Sequence, residues 1–312
     1  ISLPSYPFDK EHYWLLKKSN IKKTINTEYH PLIGDIDIDS MLSNGLTIQN
    51  CLFKEDLIVK DHQLMGQPVL PGVGYLEIAR AAISKIKRNS EWKLGNMVWL
   101  EPMILKTEKR KFYIIAKEED NRLQYEICSQ EGGESVTHFK GEAYKDSLFK
   151  QESEDTVSIE DIQSRCSRYL DKQTIYSTFD SVGISYGEYF QGLEEVWGNA
   201  QEALGLLNLP SKYKDELDDY ILHPTLTDSA LQTSIGLGVV SNNPMLPFAV
   251  EEVEILGHAN RHVYSYVKLT GTNKFDVWIL DREGRVCVKI RNVALRELRP
   301  PIMDCYIPGW KE

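Results

Sequence analysis

Residues 72–83 of the chain read GVGYLEIARAAI, and this stretch decides the fold. A helix built on it carries apolar side chains nearly all the way round, at Val73, Leu76, Ile78, Ala79, Ala82 and Ile83. A helix that lacks a polar face is a buried helix. The stretch therefore predicts one central helix that other elements of the fold enclose.

Strand-like segments lie on both sides of this helix. They cover residues 46–48 and 57–59 before it, and residues 98–105, 111–116, 123–128 and 136–143 after it. Turn-forming residues separate the last three segments, which predicts an antiparallel meander. One buried helix enclosed by antiparallel strands is the outline of a hot-dog fold, within the α+β class.

The second half of the chain repeats this outline without repeating the sequence. A strand-like segment at 193–197 precedes a helix that is predicted to start near Asp228. Further strands are predicted at 262–269, 275–280 and 286–290, and residues 281–284 form a hairpin signal between the last two. The whole pattern predicts a double hot-dog fold, in which each subdomain wraps an antiparallel sheet around a central helix.

Length and composition agree with two compact units. The 312 residues are about twice a typical domain. The net charge of −10 argues against a nucleic-acid partner. No apolar run approaches the roughly 20 residues that cross a bilayer, and five scattered cysteines form no C-x-x-C pair, so we expect a reduced, cytoplasmic chain. The start lacks an initiator Met, as expected of a segment cut from a longer polypeptide.

Residues 61–73, DHQLMGQPVLPGV, carry the strongest chemical signal. His62 leads into a loop rich in glycine and proline, and the loop ends at Pro71, where the central helix begins. The free N–H groups of a first helical turn, with the helix dipole, can stabilise an oxyanion. A base beside such donors suits proton abstraction next to a carbonyl. A lone histidine is nevertheless more often structural, and the glycines can simply shape a turn.

The spacing of these residues resembles that of a known family. His62, Gly66 and Pro71 reproduce H-x-x-x-G-x-x-x-x-P, and with Leu70 and Gly72 the segment resembles the dehydratase domains of modular polyketide synthases. Further matches follow in family order: GISYGEYFQG at 183–192, HPTLTDSALQ at 223–232, LPF at 246–248, HPL at 30–32, and a linker-like LPSYPF at 3–8. The resemblance spans nearly the whole chain.

The resemblance implies roles for individual residues. His62 would remove the α-proton of a β-hydroxyacyl thioester while the N–H of Gly72 polarises its carbonyl. Asp228 would help the β-hydroxyl to leave as water. Supporting roles fall to Gln232 and Tyr186 beside Asp228, to Phe190 as a wall of the substrate tunnel, and to Gly66 and Pro71 in the loop.

Two features of the second half need physical comment. Asp228 and Gln232 stand four residues apart, so on a helix they share a face and can form a hydrogen bond. A helix N-terminus lowers a carboxyl pKa whereas burial raises it, and proton donation near neutral pH requires that burial dominate. If it does not, His62 would shuttle the proton itself. Glu188 stands where the family usually has proline, which would loosen this loop and place a charge near the tunnel mouth.

The resemblance also implies partners and an organisation. The acyl chain would be carried on the phosphopantetheine arm of an acyl carrier protein, with neighbouring synthase domains, a homodimer, and no cofactor or metal in this domain. An enoyl isomerase, a pyran-forming cyclase and a non-catalytic module that binds the carrier or aids dimerisation remain alternatives. The expected division is an upstream linker at 1–28, a first hot dog at 29–145, a linker at 146–160, a second hot dog at 161–300 and a downstream linker at 301–312.

Overall fold

The structure is a computed structural model that describes residues 30–34, 36–37, 46–87, 92–145, 156–238 and 242–298. The expected terminal linkers at 1–28 and 301–312 lie outside the described residues, as does most of the expected linker at 146–160. Within the described ranges, no helix is both long enough and apolar enough to span a membrane.

The first half of the chain contains eight strands and two helices among its described residues. In chain order they are β1 (Ile36–Asp37), β2 (Leu46–Phe53), α1 (Leu57–Lys60), β3 (His62–Leu64), β4 (Gln67–Pro68), α2 (Gly72–Lys87), β5 (Lys93–Trp99), β6 (Lys109–Glu119), β7 (Arg122–Glu131) and β8 (Glu134–Tyr144). The central helix α2 is followed by the meander that the turns at 118–121 and 131–134 predict.

The second half follows a similar plan. Its α-helices and strands are α3 (Ile159–Arg165), β9 (Arg168–Asp171), α4 (Lys172–Ser181), β10 (Ile184–Tyr186), β11 (Leu193–Gly198), β12 (Glu202–Asn208), α5 (Pro224–Gln232), β13 (Met245–Ile255), β14 (His262–Gly271), β15 (Lys274–Leu280) and β16 (Val286–Glu297). Short 3₁₀ helices occupy Glu188–Phe190, Ser211–Asp219 and Thr233–Leu237. The helix α3 begins inside the stretch expected to be a linker.

One sheet of thirteen strands runs through both halves. Its order is β1-β2-β6-β7-β8-β5-β13-β16-β15-β14-β12-β11-β9, so the halves join where β5 pairs with β13. The helices α2 and α5 contact each other, and a single cluster of buried apolar side chains contains residues of both halves. The arrangement is the predicted double hot-dog fold, in the α+β class.

The central helix matches its prediction closely. Every side chain from Val73 to Ile83 is buried, as the apolar circumference requires. The helix continues to Lys87, beyond the predicted end at 83, where Lys85 and Lys87 place positive charge in the last turn and complement the helix dipole. The burial of α2 is therefore readable directly from the amino-acid sequence.

Several elements differ from the sequence-based predictions in type or in bounds. Residues 57–59 form the helix α1 rather than a strand, because three apolar residues are too few to distinguish the two periods. The strand predicted at 98–105 ends at Trp99, because Pro102 cannot donate a ladder hydrogen bond. The helix predicted to start near Asp228 begins at Pro224, where the Thr225 N–H donates to His223 Nδ1.

Candidate active site

A small second sheet brings the two halves of the chain together. Strand β10 of the second half pairs antiparallel with β3 of the first, and Tyr186 lies opposite His62 in the register. Asp61 anchors the chain beyond β10, because its carbonyl accepts the Gly187 N–H at 2.7 Å and its Oδ2 accepts the Tyr189 N–H at 2.9 Å. A Cβ at Gly187 would lie 2.6 Å from both carboxylate oxygens of Asp61, so any larger residue here would have to displace that carboxylate.

A cavity of about 240 Å³ lies between the halves. Most of its walls are apolar, as suits an extended hydrocarbon chain. Five of the predicted site residues line it, namely His62, Gly72, Tyr186, Asp228 and Gln232. The structure thus gathers into one cavity five side chains or backbone groups that the sequence separates by up to 170 residues.

The imidazole of His62 sits in apolar surroundings. The rings of Tyr186 and Phe190 each pack edge-on against it, with centroids 5.4 Å away. Burial lowers the pKa of His62 to about 4, against smaller opposing effects of backbone hydrogen bonds. At neutral pH the ring is therefore uncharged and can accept a proton.

Asp228 lies in the second turn of α5 and has the opposite character. Burial raises the pKa of its carboxyl to about 7, and the hydrogen bond from Gln232 Nε2 to Oδ2, at 2.7 Å, opposes the rise only in part. A helix N-terminus lowers a carboxyl pKa and burial raises it; for Asp228, the effect of burial is the larger of the two. A substantial fraction of Asp228 thus holds a proton near neutral pH.

Tyr186 and Gly72 complete the polar part of the cavity. Burial and the neighbouring Asp228 raise the pKa of the Tyr186 hydroxyl, which stays protonated and can donate. Gly72 is the first residue of α2, and its carbonyl accepts from Trp99 Nε1 at 3.2 Å. A Cβ at Gly72 would meet Pro247 Cγ at 3.0 Å, so this peptide is held between Trp99 and Pro247.

The remaining predicted residues lie around the cavity rather than on its wall. Phe190, expected as a tunnel wall, is fully buried behind His62, and the cavity-lining residues do not include it. Gly66 has a φ of +74° in the turn between β3 and β4, a conformation that favours glycine. Pro71 directly precedes α2, and its carbonyl accepts the N–H of Gly74 at 2.9 Å.

Glu188, which was expected to place a charge near the tunnel mouth, is not among the residues that line the cavity. Its side chain is exposed and pairs with Lys212 at 3.1 Å. It belongs to the short 3₁₀ helix that Asp61 anchors, so the loop has another restraint in place of the usual proline.

Sequence reasoning missed two residues of the site. Asp61 anchors the crossing between the halves, although the sequence shows it only as the residue before His62. The Tyr176 hydroxyl, from α4, lies 3.1 Å from Gln232 Oε1. No local pattern marks Tyr176, because its contacts arise only when α4 packs against β11 and α5.

Two family models match separate parts of this chain. The family model described as "Polyketide synthase dehydratase domain" matches residues 30–130, and the family model described as "Polyketide synthase dehydratase N-terminal domain" matches residues 154–303. Polyketide synthases PksM and PksN of Bacillus subtilis are each 30% identical, over 96% and 95% of this chain. The chain spans only 7% and 6% of the length of these relatives.

Several solved structures that are similar to this chain are dehydratase domains. That of the CurF module of curacin polyketide synthase superposes with a TM-score of 0.81 at 24% identity, covering 87% of this chain and all of that one. A dehydratase domain of a trans-AT polyketide synthase from Brevibacillus brevis gives 0.80 at 27% identity, covering 88% and 100%. The CurK dehydratase in an inactive Asp-to-Asn form gives 0.80 at 26% identity, covering 87% and 100%.

The fold and the cavity define a double hot-dog protein whose two halves share one site. Two family models together match most of its length, and the three solved structures described above are all dehydratase domains. The chain belongs to the dehydratase domains of polyketide synthases.

Proposed function

We propose that this chain is a hydro-lyase that removes water from a β-hydroxyacyl thioester carried on the phosphopantetheine arm of an acyl carrier protein. The observation that carries the proposal is that one cavity holds a group able to accept a proton and a group able to donate one. A neutral His62 comes from the first half, and an Asp228 that holds its proton in a substantial fraction of molecules comes from the second. One group can take a proton while the other gives one.

The reaction divides into two proton transfers. His62 takes the α-proton, and the electron pair of the broken C–H bond moves toward the thioester carbonyl, where the Gly72 N–H stabilises the developing negative charge. The pair then forms the α,β-double bond as the β-carbon–oxygen bond breaks. Asp228 gives its proton to the departing hydroxyl, which leaves as water, and Tyr186 assists through its hydroxyl. The proton on His62 must return to Asp228 before the next turnover.

Two variants of a similar protein support these roles. The CurK dehydratase is described as inactive both in a His-to-Phe form and in an Asp-to-Asn form. Its resemblance to this chain, with a TM-score of 0.80 and 26% identity for the Asp-to-Asn form, covers nearly the whole of both. A single histidine and a single aspartate are therefore the groups expected to matter here.

The family and the apolar walls of the cavity support the proposed carrier. The curated relatives are polyketide synthases of which this chain spans a small part, so neighbouring synthase domains would deliver the substrate. The apolar walls suit the acyl chain, and the proposed steps use only side chains and backbone of this domain. A homodimer is part of the same proposal.

The decisive experiment is turnover of β-hydroxyacyl carrier-protein thioesters of both configurations, followed by mass spectrometry of the acyl chain. Dehydration lowers the mass by one water, isomerisation leaves it unchanged, and cyclisation is separated by chromatography against a standard. We expect His62→Ala and Asp228→Ala to abolish water loss while circular dichroism shows a folded protein. Full dehydration by folded His62→Ala, or binding of every thioester without turnover, would overturn the proposal.

A further inference from the structure

The hydroxyl of Tyr176 stands at the centre of a buried hydrogen-bond network beside the cavity. It accepts the N–H of Leu193 at 3.0 Å and lies 3.1 Å from Gln232 Oε1 and 3.2 Å from the carbonyl of Phe190. Tyr176 does not itself line the cavity, so it has no direct contact with a substrate there. Its influence on the reaction must pass through a neighbour.

That neighbour is Gln232, whose amide could in principle point either way. Its Nε2 lies 2.7 Å from Asp228 Oδ2 and 3.2 Å from the carbonyl of Phe190. The Phe190 carbonyl can only accept a hydrogen bond, so it favours the amide orientation that places Nε2 beside it. Tyr176 favours the same orientation, because its hydroxyl can donate to Oε1.

We propose that Tyr176 is a positioning residue that holds the Gln232 amide so that it donates to Asp228. Oδ2 of Asp228 is then occupied by an N–H, and the acidic proton must reside on Oδ1. With the amide reversed, Asp228 would donate its proton to Gln232 Oε1 and withhold it from the leaving hydroxyl. This inference rests on the proposed role of Asp228 as the acid.

Tyr176→Phe tests the inference, because it removes one oxygen and keeps the ring. We expect kcat to fall about tenfold, the scale of one lost hydrogen bond, with KM little changed. The basic limb of the pH profile should move to higher pH, because the donation from Gln232 lowers the pKa of Asp228 and the variant weakens it. An unchanged kcat and pH profile would overturn the proposal.

The groups around Asp228 that could also cause a fall in activity at high pH are few in the part of the chain that the structure describes. Among the described residues, Tyr176 from α4 and Tyr186 from β10 interact with the charge of Asp228, and His62 from β3 lines the same cavity; all three are uncharged near neutral pH. The charged residues Glu101, Arg296 and Glu297 line other parts of the cavity wall. Tyr176→Phe leaves all of these groups except its own hydroxyl in place.

A double-mutant cycle shows whether Tyr176 acts through Gln232. If it does, Gln232→Met alone should cost at least as much as Tyr176→Phe, and the double variant should be no slower than Gln232→Met. Losses that multiply would contradict positioning through Gln232. Tyr266→Phe is the matched control, because its hydroxyl donates to Glu202 in the same half, away from the cavity, and its loss should leave kcat unchanged.

The protonation of Asp228 can also be followed without any substrate. We expect carbon-13 NMR of labelled aspartate carboxyls to show an Asp228 pKa near 7 in the parent chain and a higher pKa in folded Tyr176→Phe. An unshifted value overturns the positioning role whatever the activity. A shifted value in a chain that never dehydrates a thioester would overturn the proposed function and leave the hydrogen-bond network intact.

Discussion

The protonation states of two side chains carry the proposed chemistry at the scale of single residues. In water, histidine has the higher pKa of the two residue types and aspartate the lower. Burial in this cavity reverses that order, because it lowers the pKa of His62 to about 4 and raises the pKa of Asp228 to about 7. Burial penalises the charged form of each group, which leaves a neutral base and a neutral acid lining the same cavity.

This reversal predicts a bell-shaped dependence of kcat/KM on pH. Activity should fall below about pH 4, where His62 becomes protonated and cannot accept the α-proton. It should also fall above about pH 7, where Asp228 loses the proton that it must donate. The measurement is initial rates of dehydration across the pH range in which the protein stays folded.

Asp228→Asn is the matched control for the basic limb. The amide can neither ionise nor give up an acidic proton, so this variant should show no dehydration at any pH of the profile. A parent rate that keeps rising from pH 7 to pH 9 would instead assign the acid to another group.

At the scale of elements, the crossing of β3 and β10 sets the distance between the two halves of the site. Gly187→Ala would press a methyl group against the Asp61 carboxylate and displace β10 from β3. We expect a loss of about 1–3 kcal/mol in the free energy of unfolding, as for other overpacked sites, together with slower dehydration. Urea unfolding and initial rates measure the two effects.

Gly257→Ala serves as the comparison, because a Cβ there meets nothing within 4 Å. It should change neither the stability nor the rate. If Gly187→Ala behaves in the same way, the crossing does not position Tyr186 relative to His62.

How far the sequence predicts each element depends on how local its causes are. The burial of α2 is visible in its own apolar residues, and the hydrogen bond from Gln232 to Asp228 follows from their helical spacing. Residues 57–59 were wrongly predicted as a strand, and Phe190 packs against His62 without being among the residues that line the cavity. A three-residue run has no usable period, and Phe190 is placed behind His62 by the contact between the two halves, which no local pattern encodes.

A buried ion cluster connects the central helices. Glu77 of α2 is fully buried and accepts hydrogen bonds from the Ile221 and Leu222 N–H groups, both at 3.1 Å, just before α5 begins. Arg80 donates to it through Nε at 2.7 Å, and His30 Nε2 lies 3.0 Å away. Burial raises the pKa of Glu77, but these partners outweigh burial and lower it to about 2.

Glu77→Gln should destabilise the fold strongly. It removes the charge while leaving Arg80 buried, a change that typically costs about 3–5 kcal/mol. Because the pKa of Glu77 is lowered on folding, its ionised form stabilises the protein above the ordinary value of 4.5, and this contribution is lost as the pH falls toward 2. In urea unfolding, the difference in the free energy of unfolding between the parent and the variant should therefore be largest at pH 7 and decrease below pH 4.5.

An exposed ion pair provides the contrast. Glu188→Gln, which breaks the surface pair with Lys212, should leave the free energy of unfolding unchanged. An equally small effect of Glu77→Gln at pH 7 would show that the cluster does not hold α2 against α5.

At the scale of the whole molecule, the two hot dogs are joined too extensively to act as separate domains. The sheet is continuous through the pairing of β5 with β13, and one apolar core contains residues of both halves. The crossing of β3 with β10 and the Glu77 cluster add two further connections. Chains of this length often unfold domain by domain, but here opening one half would expose a sheet edge and core surface of the other.

We therefore expect the full chain to unfold as one cooperative unit, and Val250→Ala tests this expectation. Val250 is buried in β13 and pairs with Met97 of β5, so its truncation leaves a small void at the junction and should cost about 2 kcal/mol. Hydrogen exchange should show equal losses of protection in β7, within the first half, and in β15, within the second. The exposed neighbour Glu251→Ala should change neither, whereas a loss confined to one half would show that the halves open independently and that the shared cavity can form only when both are closed.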